Sequence, residues 1–331
     1  MKSSRILGIG SYVPERVWTN NDLATIMDTS DEWIQQRTGI KQRHWVDFDS
    51  NTTTSDLGLK AAEQAIKSAG IDKSEIECIL FATLSPDYEF PGTACFLQAK
   101  LGLPGVPAID VRQQCTGFIY ATSIADNFIK TGMYKKILVV GAETHSRGLQ
   151  RNTEGRDVAV LFGDGAGAVV LGESDGKAQI LSTHLHADGA YAKELWVQYP
   201  GIANGDRYQP DLESKEWFPK MNGKAVFMHA VKRMPEVLMK GLSHNGLKLE
   251  DIDLFVFHQA NLRINEMVAK QLGIPEEKVH NTIQKFGNTT AATIPLGLHD
   301  AVQAGKLKPG MTVASAAFGS GFTWASMVIK W

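Results

Sequence analysis

Three residues scattered along the chain carry a nucleophilic thiol, an imidazole and a carboxamide that could work together: Cys115, His258 and Asn288. Cys115 sits in the stretch Ala108-Ile-Asp-Val-Arg-Gln-Gln-Cys-Thr-Gly117, and behind it Phe118, Ala121, Ile124, Ala125, Phe128 and Ile129 recur at helical spacing. The thiol therefore falls where an apolar strand gives way to a helix N-terminus. Unpaired N–H groups and the positive end of the helix dipole favour a thiolate there, which predicts a lowered thiol pKa and a nucleophile at neutral pH. Cys78, inside the apolar run Ile76–Phe81, and Cys95, among Ala94, Phe96 and Leu97, read instead as small buried hydrophobes. His258 ends the very apolar segment Phe255-Val-Phe-His-Gln-Ala260, where an imidazole needs either a core hydrogen bond or a chemical task. Asn288, in Phe-Gly-Asn-Thr-Thr, is either a turn former ahead of a helix near Ala291 or a carboxamide with work to do. Phe318-Gly-Ser-Gly-Phe322 follows another strand, and its small residues let backbone N–H groups approach a developing oxyanion; a plain hairpin turn uses the same composition.

What brings these residues together is an internal repeat. Gly70-Ile-Asp-Lys-Ser-Glu-Ile-Glu-Cys-Ile-Leu-Phe81 aligns without a gap on Gly246-Leu-Lys-Leu-Glu-Asp-Ile-Asp-Leu-Phe-Val-Phe257, and Leu101-Gly-Leu-Pro104 matches Leu272-Gly-Ile-Pro275 at nearly the same offset. Two matches in the same order imply two halves that each repeat one α/β arrangement, 1–175 and 176–331, with a polar boundary near Glu173–Lys177. If a pseudo-twofold axis relates the halves, the strand ending in His258 partners Ile79–Thr83. The Gly287-Asn288 segment then partners the Cys115 segment, and all three side chains approach one axis.

Other elements follow from pattern. Asp31 and Glu32 open a surface helix within Ser30–Arg43 that aligns Trp33, Ile34 and Arg37; Asp56 caps a second helix carrying Leu59, Ala62, Ala65, Ile66 and Ala69, stopped by Gly70. Lys136–Gly141, Val158–Phe162, Ala168–Leu171 and Met311–Ala317 read as buried strands, and Gly163-Asp-Gly-Ala-Gly167 as a tight turn. That turn lacks GxGxxG spacing, and no GK[ST] occurs, so a nucleotide phosphate loop is weakly supported. Ala190–Lys220, with Trp196, Tyr199, Tyr208, Trp217 and Phe218 but no period, reads as an excursion covering a site, and Pro235 implies a kink or break in the helical pattern Val226–Leu242.

Composition bounds the function. The 34 Lys and Arg nearly balance 36 Asp and Glu, so no global basic field recruits nucleic acid or membrane, and an acidic partner must meet a local patch. Three cysteines make no disulfide framework and no CxxC metal spacing, which implies a reducing, cytoplasmic setting. Met1–Gly10 resembles a strand more than a signal peptide, and no run approaches the roughly 20 apolar residues of a membrane span.

The chain resembles the β-ketoacyl-acyl carrier protein synthase III enzymes of the thiolase superfamily. The likeness is carried by Gly8-Ile-Gly-Ser-Tyr-Val-Pro14, Asp28-Thr-Ser-Asp-Glu-Trp33, Arg37-Thr-Gly-Ile40, Phe162–Gly167, Ser182-Thr-His-Leu-His-Ala-Asp-Gly189, His258-Gln-Ala-Asn-Leu-Arg263, Gly287-Asn-Thr289 and Phe318–Trp324. The resemblance implies an α/β, thiolase-like five-layered α/β/α/β/α fold from two duplicated halves, usually a homodimer. It implies that Cys115 takes an acyl group, acetyl by default, from acyl-CoA as a thioester. Malonyl-acyl carrier protein then enters, and its decarboxylation yields an enolate that attacks the acyl-enzyme, starting type II fatty acid synthesis. His258 and Asn288 would stabilise the enolate, the N–H groups of Cys115 and Ser320 would hold the tetrahedral oxyanion, and no metal or cofactor is required. By the same resemblance Trp33 and Arg156 sandwich adenine with Thr29 and Arg37 nearby. Phe227 lines the pantetheine tunnel, Phe90 reaches the partner's acyl pocket, and Arg263 and Lys270 meet the acidic carrier protein.

Gln113, Gln114 and Ser320 depart from the family pattern, and they bear on which acyl group is used. Outside the leading reading stand a relative with another primer or acceptor, a cysteine hydrolase with an open cleft, and a silent acyl-CoA or carrier-protein binding module. Degradative thiolases need a second cysteine in the C-terminal half, and none follows Cys115.

Overall fold

The computed structural model describes residues 2–204 and 214–331, so Tyr208 lies outside the described residues. Its main strands are β1 (Ser4–Tyr12), β2 (Cys78–Ala82), β3 (Ala108–Val111), β4 (Lys136–Glu143), β5 (Gly165–Glu173), β6 (Gln179–Ala187), β7 (Leu254–Phe255), β8 (Thr312–Gly319) and β9 (Thr323–Lys330). Its longer helices are α1 (Asp31–Thr38), α2 (Thr54–Ala69), α3 (Thr93–Leu101), α4 (Gly117–Lys130), α5 (Gly223–His244), α6 (Leu262–Leu272) and α7 (Thr293–Gln303).

The strands form one sheet ordered β1-β5-β4-β2-β3 and another ordered β6-β9-β8-β7. In the first, β1/β5 and β5/β4 are antiparallel while β4/β2 and β2/β3 are parallel. The second repeats this: β6/β9 and β9/β8 are antiparallel, β8/β7 is parallel, and Phe255 makes a further parallel bridge to Val279 where β3 would fall. The registers agree as well, Cys78 facing Ile137 in one sheet and Leu254 facing Val313 in the other.

Three apolar clusters knit five layers. Leu57, Ala61, Ala65 and Leu97 pack α2 and α3 on the outer face of the first sheet, and Val237, Leu238, Leu242 and Val268 pack α5 and α6 on the outer face of the second. Between the sheets lie α4 and α7, through Phe118, Ala121, Ala125, Ile129, Ile294 and Leu298. Helices on both faces of each sheet explain the continuous apolar runs of the strands.

Several sequence expectations change. Val158–Phe162 is not a strand: Arg156–Ala159 is one helical turn, and only Phe162 bridges, to Asn288. Gly165-Ala-Gly167 belongs to β5 rather than to a turn, because the glycines let this sheet lie against α7; a Cβ on Gly167 would come 2.7 Å from that of Pro295. The α2 cap is Thr53, with Asp56 three residues on closing a capping box. Pro235 lies inside an unbroken α5, whose burial against β8 and β9 outweighs the one lost hydrogen bond. Cys95 faces solvent on α3, whereas Cys78 is buried in β2; all three cysteines are free.

Candidate active site

Cys115 is positioned by a tight turn. The chain leaves β3, passes Gln114 at φ 44° and enters a single 3-10 turn, Gln114–Thr116, before α4. A positive φ at a non-glycine residue is strained and persists only where its surroundings hold it. Here Thr116 Oγ1 bonds Thr323 Oγ1 of β9 at 2.9 Å, tying the turn to the second sheet. Cys115 is 7% exposed, and the N–H groups of Cys115 and Ser320 and the Thr290 hydroxyl are the neighbouring groups that favour an ionised sulfur. These donors do not make a thiolate. Burial, then the Glu143 carboxylate, push the Cys115 thiol up to about 12, which corrects the lowered value expected from the helix terminus alone. In the unliganded protein desolvation outweighs the dipole.

Gly319, the last residue of β8, makes room for this sulfur. A Cβ there would stand 2.5 Å from Cys115 Cβ and 2.9 Å from Sγ. The following residue, Ser320, is held by its side chain, whose hydroxyl donates to the Leu195 carbonyl, and its backbone N–H favours an ionised sulfur.

His258 comes from just beyond β7, whose ladder continues through His258 N to the Ala316 carbonyl at 2.9 Å. The ring is 2% exposed and burial lowers its pKa to about 3, so it is a neutral imidazole. Nδ1 lies 2.7 Å from Thr293 Oγ1, and Nε2 is buried with no partner. A buried unpaired ring nitrogen is costly, and it is available to a ligand. Asn288 is fixed by backbone bonds to Leu161 and Gly163, at 2.8 and 3.0 Å. Its Oδ1 accepts the Thr290 N–H at 2.9 Å, which orients the carboxamide.

Cys115, His258 and Asn288 line one cavity of about 310 Å³ together with Trp33, Arg37, Phe227, Phe318 and Gly319. A second cavity of about 460 Å³ also reaches Cys115 and is walled by Leu195, Trp196, Val197, Tyr199 and Pro219 of the long excursion, in which Leu195–Trp196 pairs with Lys220–Met221. The remaining expected residues are more scattered. Arg37 and Arg156 lie over the Trp33 ring at 4.3 and 5.3 Å, and Arg156 also pairs with Asp28 at 3.2 Å. Thr29 and Arg156 are not part of the first cavity's lining, although the Thr29 hydroxyl is buried without a partner. Phe90 is 79% exposed and lines neither cavity. Arg263 and Lys270 are exposed at opposite ends of α6, with the Arg263 guanidinium 6.0 Å from the Phe227 ring.

Sequence reasoning missed Glu143, His145, Thr290 and Thr293. Glu143 ends β4 wholly buried, accepting Ser85 Oγ at 2.6 Å, Thr83 Oγ1 at 3.0 Å and the N–H groups of Leu84 and Ser85; burial raises its pKa to about 7. The signal was available: a carboxylate closing Lys-Ile-Leu-Val-Val-Gly-Ala-Glu143 raises the same question that His258 did. Among the described residues no group of three His, Cys, Asp or Glu could hold a metal ion, and no helix is long and apolar enough to cross a membrane.

Two family models match, "3-Oxoacyl-[acyl-carrier-protein (ACP)] synthase III" over residues 109–189 and the same family's C-terminal model over residues 242–331. A relative named β-ketoacyl-[acyl-carrier-protein] synthase III from Xanthomonas campestris is 46% identical, covering 99% of this chain and 98% of that protein. One of the same name from Ehrlichia canis is 46% identical over the whole of both. The crystal structure of 3-oxoacyl-[acyl-carrier-protein] synthase III from Aquifex aeolicus superposes with a TM-score of 0.91 at 41% identity, covering 99% of this chain and 100% of that one.

Proposed function

The chain belongs to the 3-oxoacyl-[acyl-carrier-protein] synthase III family, and on that premise we propose how its residues divide the work. The enzyme is an acyltransferase that condenses an acyl-CoA primer with malonyl-acyl carrier protein, releases CO2 and so begins fatty acid synthesis. In our reading Cys115 attacks the thioester carbonyl, the N–H groups of Cys115 and Ser320 hold the oxyanion, and CoA leaves. What supports this is that both N–H groups favour negative charge at the sulfur, the atom to which the oxyanion carbon would be bonded.

Malonyl-carrier protein then presents its thioester to His258 and Asn288. Loss of CO2 moves an electron pair toward the thioester oxygen, and donors preset for that charge are each worth roughly a hundredfold in rate. For Nε2 to donate it must carry the imidazole proton, so the Thr293 hydroxyl must give its one proton to Nδ1 at 2.7 Å in place of the Thr290 carbonyl at 3.0 Å. The enolate carbon attacks the acyl-Cys115 carbonyl, the sulfur is expelled, and the 3-oxoacyl-carrier protein departs.

The finer assignments belong to the same reading. Trp33, Arg37, Thr29 and Arg156 receive the CoA nucleotide, Phe227 flanks the pantetheine arm, and Arg263 and Lys270 meet the carrier protein. Acetyl is the default primer, acyl-CoA and malonyl-acyl carrier protein are substrates, and the chemistry calls on no cofactor. Residues 1–175 and 176–331 are the two halves, supported by the matching sheets. A homodimer is supported by exposed Phe90 and by the open edge of β3, where Ile109 is 40% exposed. A cytoplasmic location agrees with the three free thiols.

The observation that carries the proposal is the single cavity shared by Cys115, His258 and Asn288. Intact-protein mass spectrometry after mixing with a panel of acyl-CoA primers tests it. We expect one acyl group per chain, localised to Cys115, and its transfer onto malonyl-carrier protein. No adduct with any primer, or release of free acid alone, would contradict it.

A further inference from the structure

Gln259 follows His258 directly, yet it does not line the cavity that His258, Ala260 and Asn261 share. Its side chain is 1% exposed and bonded on two sides. Nε2 donates to the Phe257 carbonyl at 2.7 Å, and Oε1 accepts the N–H groups of Thr282 and Ile283 at 2.9 and 3.1 Å. Those N–H groups open the helical turn Ile283–Phe286, where backbone donors have no partner within the helix and Thr282 supplies no side-chain cap. A carboxamide distant in sequence caps the turn instead. The turn closes at Gly287, whose N–H donates to the Ile283 carbonyl at 3.0 Å, and Asn288 comes next.

Gln259 therefore spans the two segments that carry the donors. His258 is anchored by its N–H to the Ala316 carbonyl, and Asn288 by its bonds to Leu161 and Gly163, so each hangs from a separate support. Gln259 joins them close to both, at Phe257 just before His258 and at Thr282 and Ile283 ahead of Asn288. A second tie, from the His280 N–H to the Phe255 carbonyl at 2.9 Å, lies farther from both donors. We propose that Gln259 is a positioning residue that sets the spacing and angle between the His258 ring and the Asn288 carboxamide, so that both meet one thioester oxygen. The inference rests on His258 and Asn288 being the donors to that oxygen.

The bonding pattern explains why a carboxamide stands here. The site needs a donor toward the Phe257 carbonyl and an acceptor toward two N–H groups, and one buried carboxamide supplies both. A methionine of similar length supplies neither. A carboxylate keeps the acceptor but sets its second oxygen against the Phe257 carbonyl, whereas a neutral carboxyl restores the pattern with O–H in place of N–H. No bond is made or broken at Gln259 and no proton moves there, so its effect on rate is geometric, exerted through donors placed for the charge that decarboxylation develops. The titratable groups on the two segments it joins are His258, His280 and Lys285, the last two bonded to Asp300 of α7.

The test compares two rates in the native enzyme, Gln259→Met and Gln259→Glu: loading of Cys115 from acyl-CoA, and CO2 release from malonyl-carrier protein by enzyme already loaded. Misplaced donors predict CO2 release about thirtyfold slower in Gln259→Met at pH 7, with loading within about twofold of native. In Gln259→Glu the introduced carboxyl is buried as Glu143 is, whose pKa burial raises to about 7 although it accepts four hydrogen bonds. Its CO2 release, as a ratio to native at the same pH, should lie within about threefold of native near pH 5.5, where the carboxyl is neutral, and fall to about the Gln259→Met level by pH 8.5. Native-rate CO2 release in Gln259→Met would overturn the proposal. If loading and CO2 release fall together in Gln259→Met, or the Gln259→Glu ratio is flat with pH, the residue is merely structural and the proposal is equally overturned. Native-rate CO2 release in His258→Ala would instead fail the donor assignment, and the proposal with it.

Discussion

The two sheets superimpose in order, direction and register, yet corresponding positions carry opposite chemistry. Strand β4 ends in Glu143, and its counterpart β8 ends in Gly319. The strand beside each, β2 or β7, leads to Ala82 in one half and His258 in the other, and the 3-10 turn before the central helix carries Cys115 in one half, whereas in the other it is Thr290–Ala292, with Asn288 two residues ahead of it. One scaffold thus supplies the sulfur and a buried carboxylate, while its copy supplies donors and a missing side chain. The difference teaches that duplication fixed where side chains converge, whereas substitution at those points decided what each half does.

The comparison breaks most sharply at Gly319. Giving this half a Cβ where Glu143 has one, by Gly319→Ala, pushes a methyl into the Cys115 side chain and should slow Cys115 acylation by about a hundredfold, read by quench-flow mass spectrometry. Unchanged acylation would mean that the sulfur does not need that space. The opposite half is probed by Glu143→Gln, which keeps the side chain's size and removes the charge, at the loss of one of two acceptor oxygens. It should lower the thiol pKa and speed iodoacetamide labelling of Cys115 at pH 8 by up to about tenfold, with the native rate as the contrary result.

Each half also buries one neutral imidazole, His145 and His258, with pKa values lowered by burial from 6.5 to about 3. The unfolded chain binds those protons near pH 6.5 and the folded chain does not, so their contribution is intact above pH 6.5 and is lost as pH falls toward 3. Glu143, raised from 4.5 to about 7, has the opposite sign, losing stability as pH rises from 4.5 through 7. His145→Gln and His258→Gln should therefore each flatten the acid limb of urea-unfolding stability by up to about 1.4 kcal/mol per pH unit. An unaltered acid limb in either would mean that the imidazole is protonated in the fold.

How much of this the sequence disclosed follows the same division. Gapless repeats and apolar runs revealed the paired halves, and an isolated polar residue at the end of an apolar run singled out His258. The same test applied to Lys136–Glu143 finds Glu143, because the physics does not distinguish an imidazole from a carboxylate. His145, Thr290 and Thr293 were not legible, since they matter through contacts at 2.7 Å between segments far apart in sequence. The thiol pKa was misjudged because a helix terminus is a local feature, whereas desolvation and Glu143 depend on the closed fold. Gly165-Ala-Gly167 looked like a turn because glycines needed for close packing against α7 carry the same composition as glycines needed for bending.

The most direct check on a sulfur from one half working with donors from the other is to separate the two chemical steps in His258→Ala. With enzyme first loaded from acyl-CoA, one follows the adduct on Cys115 and then CO2 release from malonyl-carrier protein. The account predicts complete loading of Cys115 and CO2 release slowed by about a hundredfold or more. Loading and CO2 release lost in equal measure, or CO2 released at the native rate, would contradict it.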